Sequence, residues 1–203
     1  VRGIGRGRPT PAGARPWLHR LLLAGLAALL AACAHAPRRD TAPLPDLALA
    51  PAAFGGTVSL AQRLTFARLD GRSVAAHPLD ALLEIDAGAV RLAALALNRR
   101  ILSLTWDGQR LDVDRDPQLP PQVDPARVLR DVQLVLWPAA AIRAALPAGW
   151  TLREAERQRE LLHGERVAVA IRYAAASRWA GEVVLENRHE GYRLTIASHE
   201  QAP

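Results

Sequence analysis

Between Gly55 and Val113, and again from Trp150 to Ile196, apolar residues recur at every second position. Val58, Leu60, Leu64 and Phe66 share one parity, and Asp70-Gly71 closes that run. Leu83 and Ile85 alternate with Glu84 and Asp86 before Ala87-Gly88, and Val90 and Leu92 flank Arg91. Asn98-Arg99-Arg100 reads as the next turn. Leu102, Leu104 and Trp106 then alternate with Ser103 and Thr105 up to Asp107-Gly108, and Leu111 and Val113 follow. After residue 149 the alternation returns in Trp150 and Leu152, in Val167, Val169, Ile171 and Tyr173, in Val183 and Leu185, and in Tyr192, Leu194 and Ile196. Gly164 marks a turn after Leu161-Leu162-His163. Short alternating runs joined by D-G-type turns predict antiparallel hairpins in series, roughly nine strands in all.

Residues 115–124 interrupt the meander with Pro117, Pro120 and Pro121. Asp124-Pro125 then has the form of an N-cap followed by proline at the first helical position. Val128, Leu129, Val132, Val135 and Leu136 follow at helical spacing until Trp137-Pro138 breaks the pattern, and Ile142 and Leu146 carry a second short helix to Pro147. The predicted fold is mainly β with a helical insertion at 124–147. It is a curled antiparallel sheet, or an incomplete β-barrel, lidded by two short helices. A sheet with one apolar face must curl or be covered to bury it.

The start of the chain has a different character. Arg2, Arg6, Arg8 and Arg15 precede the largely apolar stretch Trp17–Leu30, which holds Arg20 near its start and leads, with no acidic residue anywhere before it, to Leu30-Ala31-Ala32-Cys33. A basic segment, an apolar segment and small residues at a cut site make a secretory signal. The apolar stretch is too short to span about 30 Å of hydrocarbon. Leu-Ala-Ala-Cys resembles the bacterial lipobox, which implies cleavage before Cys33, the chain's single cysteine, and a diacylglycerol on its sulfur. Residues 1–32 are thus read as a lipoprotein signal peptide. Residues 33–54, with recurrent Pro and Ala and no helix or strand period, are read as the lipidated Cys and a flexible tether. Residues 55–200 form the single β-rich domain. Ala34 after the cysteine implies sorting to the outer membrane, with the domain facing the periplasm.

Charge argues against nucleic acid as a partner. Removing the five arginines of the signal from the chain's 26 basic residues leaves 21 against 20 acidic, so the domain carries no net field for phosphate. Catalytic motifs are missing too. The sequence contains no G-x-S-x-G, H-E-x-x-H, C-x-x-C or glycine-rich phosphate loop, and its histidines are scattered. Asp112, Asp114 and Asp116 lack the glycine and distal glutamate of a calcium loop and read as a polar strand face. The chain is therefore read as a non-enzyme with no cofactor and no metal.

What remains is surface shape. Leu102, Leu104, Trp106, Val167, Val169, Ile171, Tyr173, Tyr192 and Leu194 fall on the predicted inner face. Two helices of about ten residues cover less area than a sheet about 40 Å wide presents. The inner face is then either a groove for an acyl or polyene chain, or a core filled by its own side chains.

The stretch Asp131-Val132-Gln133-Leu134-Val135-Leu136-Trp137-Pro138, with the lipobox, Leu104-Thr105-Trp106-Asp107-Gly108 and Ile171-Arg172-Tyr173, resembles an uncharacterised family of proteobacterial lipoproteins, a domain-of-unknown-function family. Members are often encoded beside aryl-polyene synthesis and export genes. Their architecture is similar to that of LolA and LolB, the carrier and acceptor of lipoproteins, with an incomplete barrel, a helical lid and an apolar cavity. The resemblance implies a membrane-anchored protein with a hydrophobic small molecule or lipid as cargo, and an envelope carrier or export protein as partner. A non-binding assembly factor is the alternative. Within the motif, Asp131 lies at i+4 from Arg127, while Gln133 and the Trp137 indole need partners if buried. Asp131, Gln133, Trp137 and Pro138 are expected to pin the lid to the sheet.

Overall fold

The structure is a computed structural model that describes residues 42–71, 78–119 and 123–201. The expected signal peptide, Cys33 and the first part of the expected tether lie outside the described residues. Ten strands form one antiparallel sheet: β1 (Val58–Arg68), β2 (Leu79–Ile85), β3 (Val90–Ala96), β4 (Arg99–Trp106), β5 (Leu111–Arg115), β6 (Trp150–Ala155), β7 (Gln158–His163), β8 (Arg166–Tyr173), β9 (Gly181–Asn187) and β10 (Tyr192–Glu200). The spatial order is β5-β4-β3-β2-β1-β10-β9-β8-β7-β6. Two meanders, one from each half of the chain, are therefore joined where β1 pairs with β10. Strands β5 and β6 are the free edges, so the sheet curls without closing, as the alternation predicts.

Between those edges the chain forms α1 (Pro125–Leu136) and α2 (Ala139–Ala145). Asp124 caps α1 by accepting a hydrogen bond from Ala126 N at 2.9 Å, with Pro125 behind it. Trp137 is extended (φ −66°, ψ 151°), which separates the helices at the predicted place. Turns are set by local side chains. Asp107 accepts from Gln109 N at 2.8 Å and Arg110 N at 2.7 Å, beside Gly108 at φ 95°. The β3–β4 turn falls one residue earlier than expected. Leu97 and Asn98 take positive φ, while Arg99 and Arg100 already belong to β4.

Register places the apolar parity on one face. Leu60, Leu83, Leu92, Leu104 and Val113 form one cross-strand row. Phe66, Leu194, Leu185, Ile171 and Arg159 form another. The core lies between this face and the lid. The extra strand relative to the sequence reading is β7. Arg159 occupies one of its inward positions, and a register shift between Leu161 and Leu162 breaks the alternation that marks the other strands.

The tether reading needs correction in its second half. Leu44, Leu47, Leu49 and Phe54 are buried in the core, and Pro51–Phe54 make a 3₁₀ turn. Residues 44–54 are a strap packed on the domain, which therefore begins before residue 55. The cause is the shortfall in helical cover. The apolar face needs more lid than α1 and α2 supply, and the strap's four large apolar side chains provide it.

Candidate functional site

The candidate site is the closed seam where sheet, lid and strap meet. It begins with a backbone problem. At the end of α1, Pro138 has no N–H, so the Leu134 carbonyl lacks its i+4 donor. The extended Trp137 removes the regular ladder from the carbonyls around it. The sheet supplies the missing donors. Arg159, 0 % exposed, donates through Nη1 to Leu134 O at 2.7 Å and to Trp137 O at 3.0 Å, while its Nε meets Glu154 Oε1 at 3.1 Å. The Tyr173 hydroxyl donates to Val135 O at 2.8 Å, and burial pushes its pKa up to about 12, so it remains a donor. A cation at the C-terminal end of α1 also opposes the negative pole of the helix.

On the strap side, the fully buried Gln133 holds Leu49 at both backbone groups. Its Oε1 accepts from Leu49 N at 3.1 Å, and its Nε2 donates to Leu49 O at 3.0 Å. The Leu49 carbonyl takes a second donor, Trp106 Nε1, at 2.8 Å. Trp137 Nε1 reaches Ala50 O at 3.4 Å, and its ring tilts against Phe54 with centroids 5.4 Å apart. Thus Gln133 and Trp137 pin the lid to the strap, a partner absent from the sequence expectation, and Pro138 shapes the break.

Asp131 serves the third side. It does not pair with Arg127, whose Nε lies 3.5 Å from Asp124 and 3.6 Å from Glu190. Asp131 faces Arg130 at 3.2 Å and accepts a short hydrogen bond from the Tyr192 hydroxyl on β10. Arg130 Nη2 also meets Glu190 Oε2 at 2.8 Å, and Glu190 is held by Asn187 Nδ2 at 3.0 Å. Burial pushes the Asp131 carboxyl up, against the opposing pull of Arg130 and Tyr192. Burial also acts to raise Glu190, but hydrogen bonding and charge from Arg130 win and hold it below the usual range. The Arg130 guanidinium, desolvated yet flanked by carboxylates, is held more firmly protonated than usual. The network is an ionic latch between α1 and the β9–β10 hairpin.

The expected inner-face residues do come together. Leu102, Leu104, Trp106, Val169, Ile171 and Tyr173 are buried in one cluster, and Tyr192 and Leu194 pack half-buried against it. Val167 is the exception. At the β7–β8 bulge it is half-buried outside the cluster, and Ala168 takes part instead. Leu104 and Ile171 are each 1 % exposed and Val169 0 %. In this conformation the inner face is filled by its own lid and strap; it is not an open groove. An open depression of about 550 Å³ lies elsewhere, lined by Ala96, Leu97, Arg99, Ile101, Asp116, Gln118 and Leu119. Asp112, Asp114 and Asp116 each pair with an arginine, and among the described residues no cluster of His, Cys, Asp and Glu has the arrangement of a metal site.

Magnitudes show how firmly the strap sits. Burying Leu44, Leu47, Leu49 and Phe54 stabilises by about 6–12 kcal/mol at ~1.5–3 each. Its four side-chain hydrogen bonds add about 2–6 kcal/mol. Ordering residues 44–54 costs about 11–22 kcal/mol of backbone entropy, towards the lower end because Pro45 and Pro51 have preset φ. The strap is thus docked close to balance.

Sequence reasoning missed Arg159, Arg130 and Glu190. Arg159 carried one signal, its even spacing from Leu161 on a strand, but its charge hides an inward position. Arg130 and Glu190 meet only through tertiary structure, sixty residues apart in sequence. The chain belongs to the family described as protein of unknown function DUF3261, whose family model matches residues 59–200. No curated protein matches the chain.

Proposed function

We propose that this member of the DUF3261 family is an outer-membrane lipoprotein, anchored through Cys33 and facing the periplasm, whose half-barrel takes up a hydrophobic cargo. The cargo is a lipid-linked product or a lipoprotein acyl chain, handed over by an envelope carrier or export protein, and aryl-polyene export is the setting the family resemblance suggests. One observation carries the reading: the apolar face of an unclosed sheet is covered by pieces outside the strand ladder, except at Phe66 and Val113, which are 40 % and 41 % exposed. A lid of helices and strap can leave without breaking a strand pair.

Two experiments test it. Metabolic labelling with a fatty acid should mark the wild-type protein and not Cys33→Ala; equal labelling would sink the lipoprotein assignment. Titrating the lipid-free protein with an environment-sensitive fluorescent fatty acid should give saturable binding. The filled inner face favours a second reading, a non-binding accessory of an envelope export complex. That reading takes over if the folded protein binds no such probe.

A further inference from the structure

The Leu49 carbonyl is buried, belongs to no strand ladder, and receives two side-chain donors, Trp106 Nε1 at 2.8 Å and Gln133 Nε2 at 3.0 Å. Around it, Leu44, Leu47 and Phe54 fill apolar positions against the sheet and lid. A carbonyl held by two donors at one point of an apolar slot is also the shape of a fatty acyl ester or amide. The carbonyl oxygen of such a ligand would take both donors, and its hydrocarbon would take the space of the leucine side chains. An alkane would leave the Trp106 and Gln133 donors unmet in a dry site, and an ether, whose weaker acceptor lies within the chain, would meet them poorly; both cost affinity.

We propose that the slot beneath residues 44–54 is an acyl-binding site, that the strap is its resident occupant, and that Trp106 and Gln133 recognise the carbonyl of a long-chain acyl ester or amide that displaces Leu49. The inference rests on the cargo reading above and gives it a location, a ligand class and a gate. The strap is the piece that leaves, because it is docked close to balance and its ties to the lid and sheet are neutral hydrogen bonds. By contrast, α1 is held by the Arg159 guanidinium at Leu134 and Trp137, by the Tyr173 hydroxyl at Val135 and by the Arg130–Glu190 ion pair.

The test uses the full chain carrying Cys33→Ser. A Cβ built on Gly108 lies 4.0 Å from the Ala50 Cβ, within the range of about 3.5–4.5 Å that a disulfide bridges. Ala50→Cys with Gly108→Cys therefore locks the strap when oxidised and frees it when reduced, so the reduced form is the folding control. The probes are a fluorescent long-chain acyl ester and its alkyl-ether counterpart. The ester should bind at least roughly tenfold more tightly than the ether, a difference of one lost hydrogen-bonded group. Binding should vanish in the oxidised lock and return on reduction. Hydrogen exchange at residues 44–54 should accelerate when the ester binds.

Because Gly108 has φ 95°, a cysteine there is strained, and Gln133→Leu supplies a second arm. It should loosen the strap and abolish the preference for ester over ether. Ester binding to the oxidised lock, or equal binding of ester and ether by the wild type, overturns the slot while leaving the cargo reading in place. Failure of every form, including Gln133→Leu and the reduced lock, to bind either probe overturns both.

Discussion

Arg159→Met isolates the contact that joins the sheet to the broken end of α1. Methionine keeps most of the apolar volume and removes every donor. The variant leaves the Leu134 and Trp137 carbonyls buried with no partner, since Pro138 cannot donate and the arginine was fully buried. Each unsatisfied group costs about 1–3 kcal/mol. Glu154 adds little, because its side chain is 30 % exposed and regains water when the arginine is gone. Replacing a whole buried ion pair by apolar groups is often neutral, but here the abandoned partners are backbone carbonyls that cannot be replaced. For the two carbonyls together the expected loss is therefore about 2–6 kcal/mol. Urea unfolding gives the number directly from the shift in midpoint at unchanged slope. Thermal unfolding should drop by about 4–24 °C at 2–4 °C per kcal/mol for a domain of this size. Glu154→Gln keeps an acceptor for Arg159 and leaves both carbonyl bonds in place but strips the buried guanidinium of its carboxylate, so it should also destabilise, by less than Arg159→Met. A loss under about 1 kcal/mol for Arg159→Met would mean that the two carbonyls find other donors, and the account of the joint would be wrong.

The filled inner face and the latch make two further predictions. Leu104→Arg and Val169→Arg place a charge among residues 1 % and 0 % exposed, so each should cost several kcal/mol and leave the purified domain unfolded or nearly so; a native-like melting curve for either would show an accessible cavity. Glu190 has a folded pKa below its unfolded value of about 4.3, so its contribution is present above that pH and is lost as pH falls through the folded pKa. Glu190→Gln should therefore be destabilised relative to wild type at pH 7, with the gap narrowing on acidification. Urea midpoints that differ by a constant amount from neutral pH down through the carboxylate range would refute the latch.

The sheet was legible because its physics is local. Leu102, Leu104 and Trp106 must share a face whenever they are in a strand, and Asp107-Gly108 turns the chain by its own hydrogen bonds. The same holds for Asp124-Pro125, which starts α1 with a side chain two residues from its target. β7 was illegible because Arg159 stands where the pattern calls for an apolar residue, and the reason lies in Pro138, twenty-one residues earlier. The strap was illegible for a related reason. Leu44, Leu47, Leu49 and Phe54 follow neither a helix nor a strand period, so composition dominates and proline and alanine suggest a free tether. Their order comes from Gln133 and Trp106, which the sequence gives no way to place beside them. The pairing of Arg127 with Asp131 was a helix-surface inference, and it fails because Asp131 points into a buried network with Arg130 and Tyr192.

The D-x-Q-L-x-x-W-P stretch thus has two sides that differ in kind. Its backbone side faces the sheet: Pro138 strips the Leu134 carbonyl of its donor, and Arg159 and Tyr173 on β7 and β8 fill the gaps left at the break. Its side-chain side faces the strap: Gln133 and Trp137 reach out to Leu49 and Ala50. Backbone carbonyls that have no alternative donor hold their partners tightly, because release leaves a buried orphan. The Leu49 carbonyl on the strap side is likewise a buried acceptor served by side chains, so hydrogen bonding alone favours neither side. The asymmetry comes from charge and entropy: the lid is also held by the Arg159 guanidinium and the Arg130–Glu190 ion pair, whereas the strap's ties are neutral and ordering it costs nearly what its contacts return. Force or ligand applied at the seam parts the strap from the lid before it parts the lid from the sheet, and the chain that leaves first is the one that runs toward Cys33.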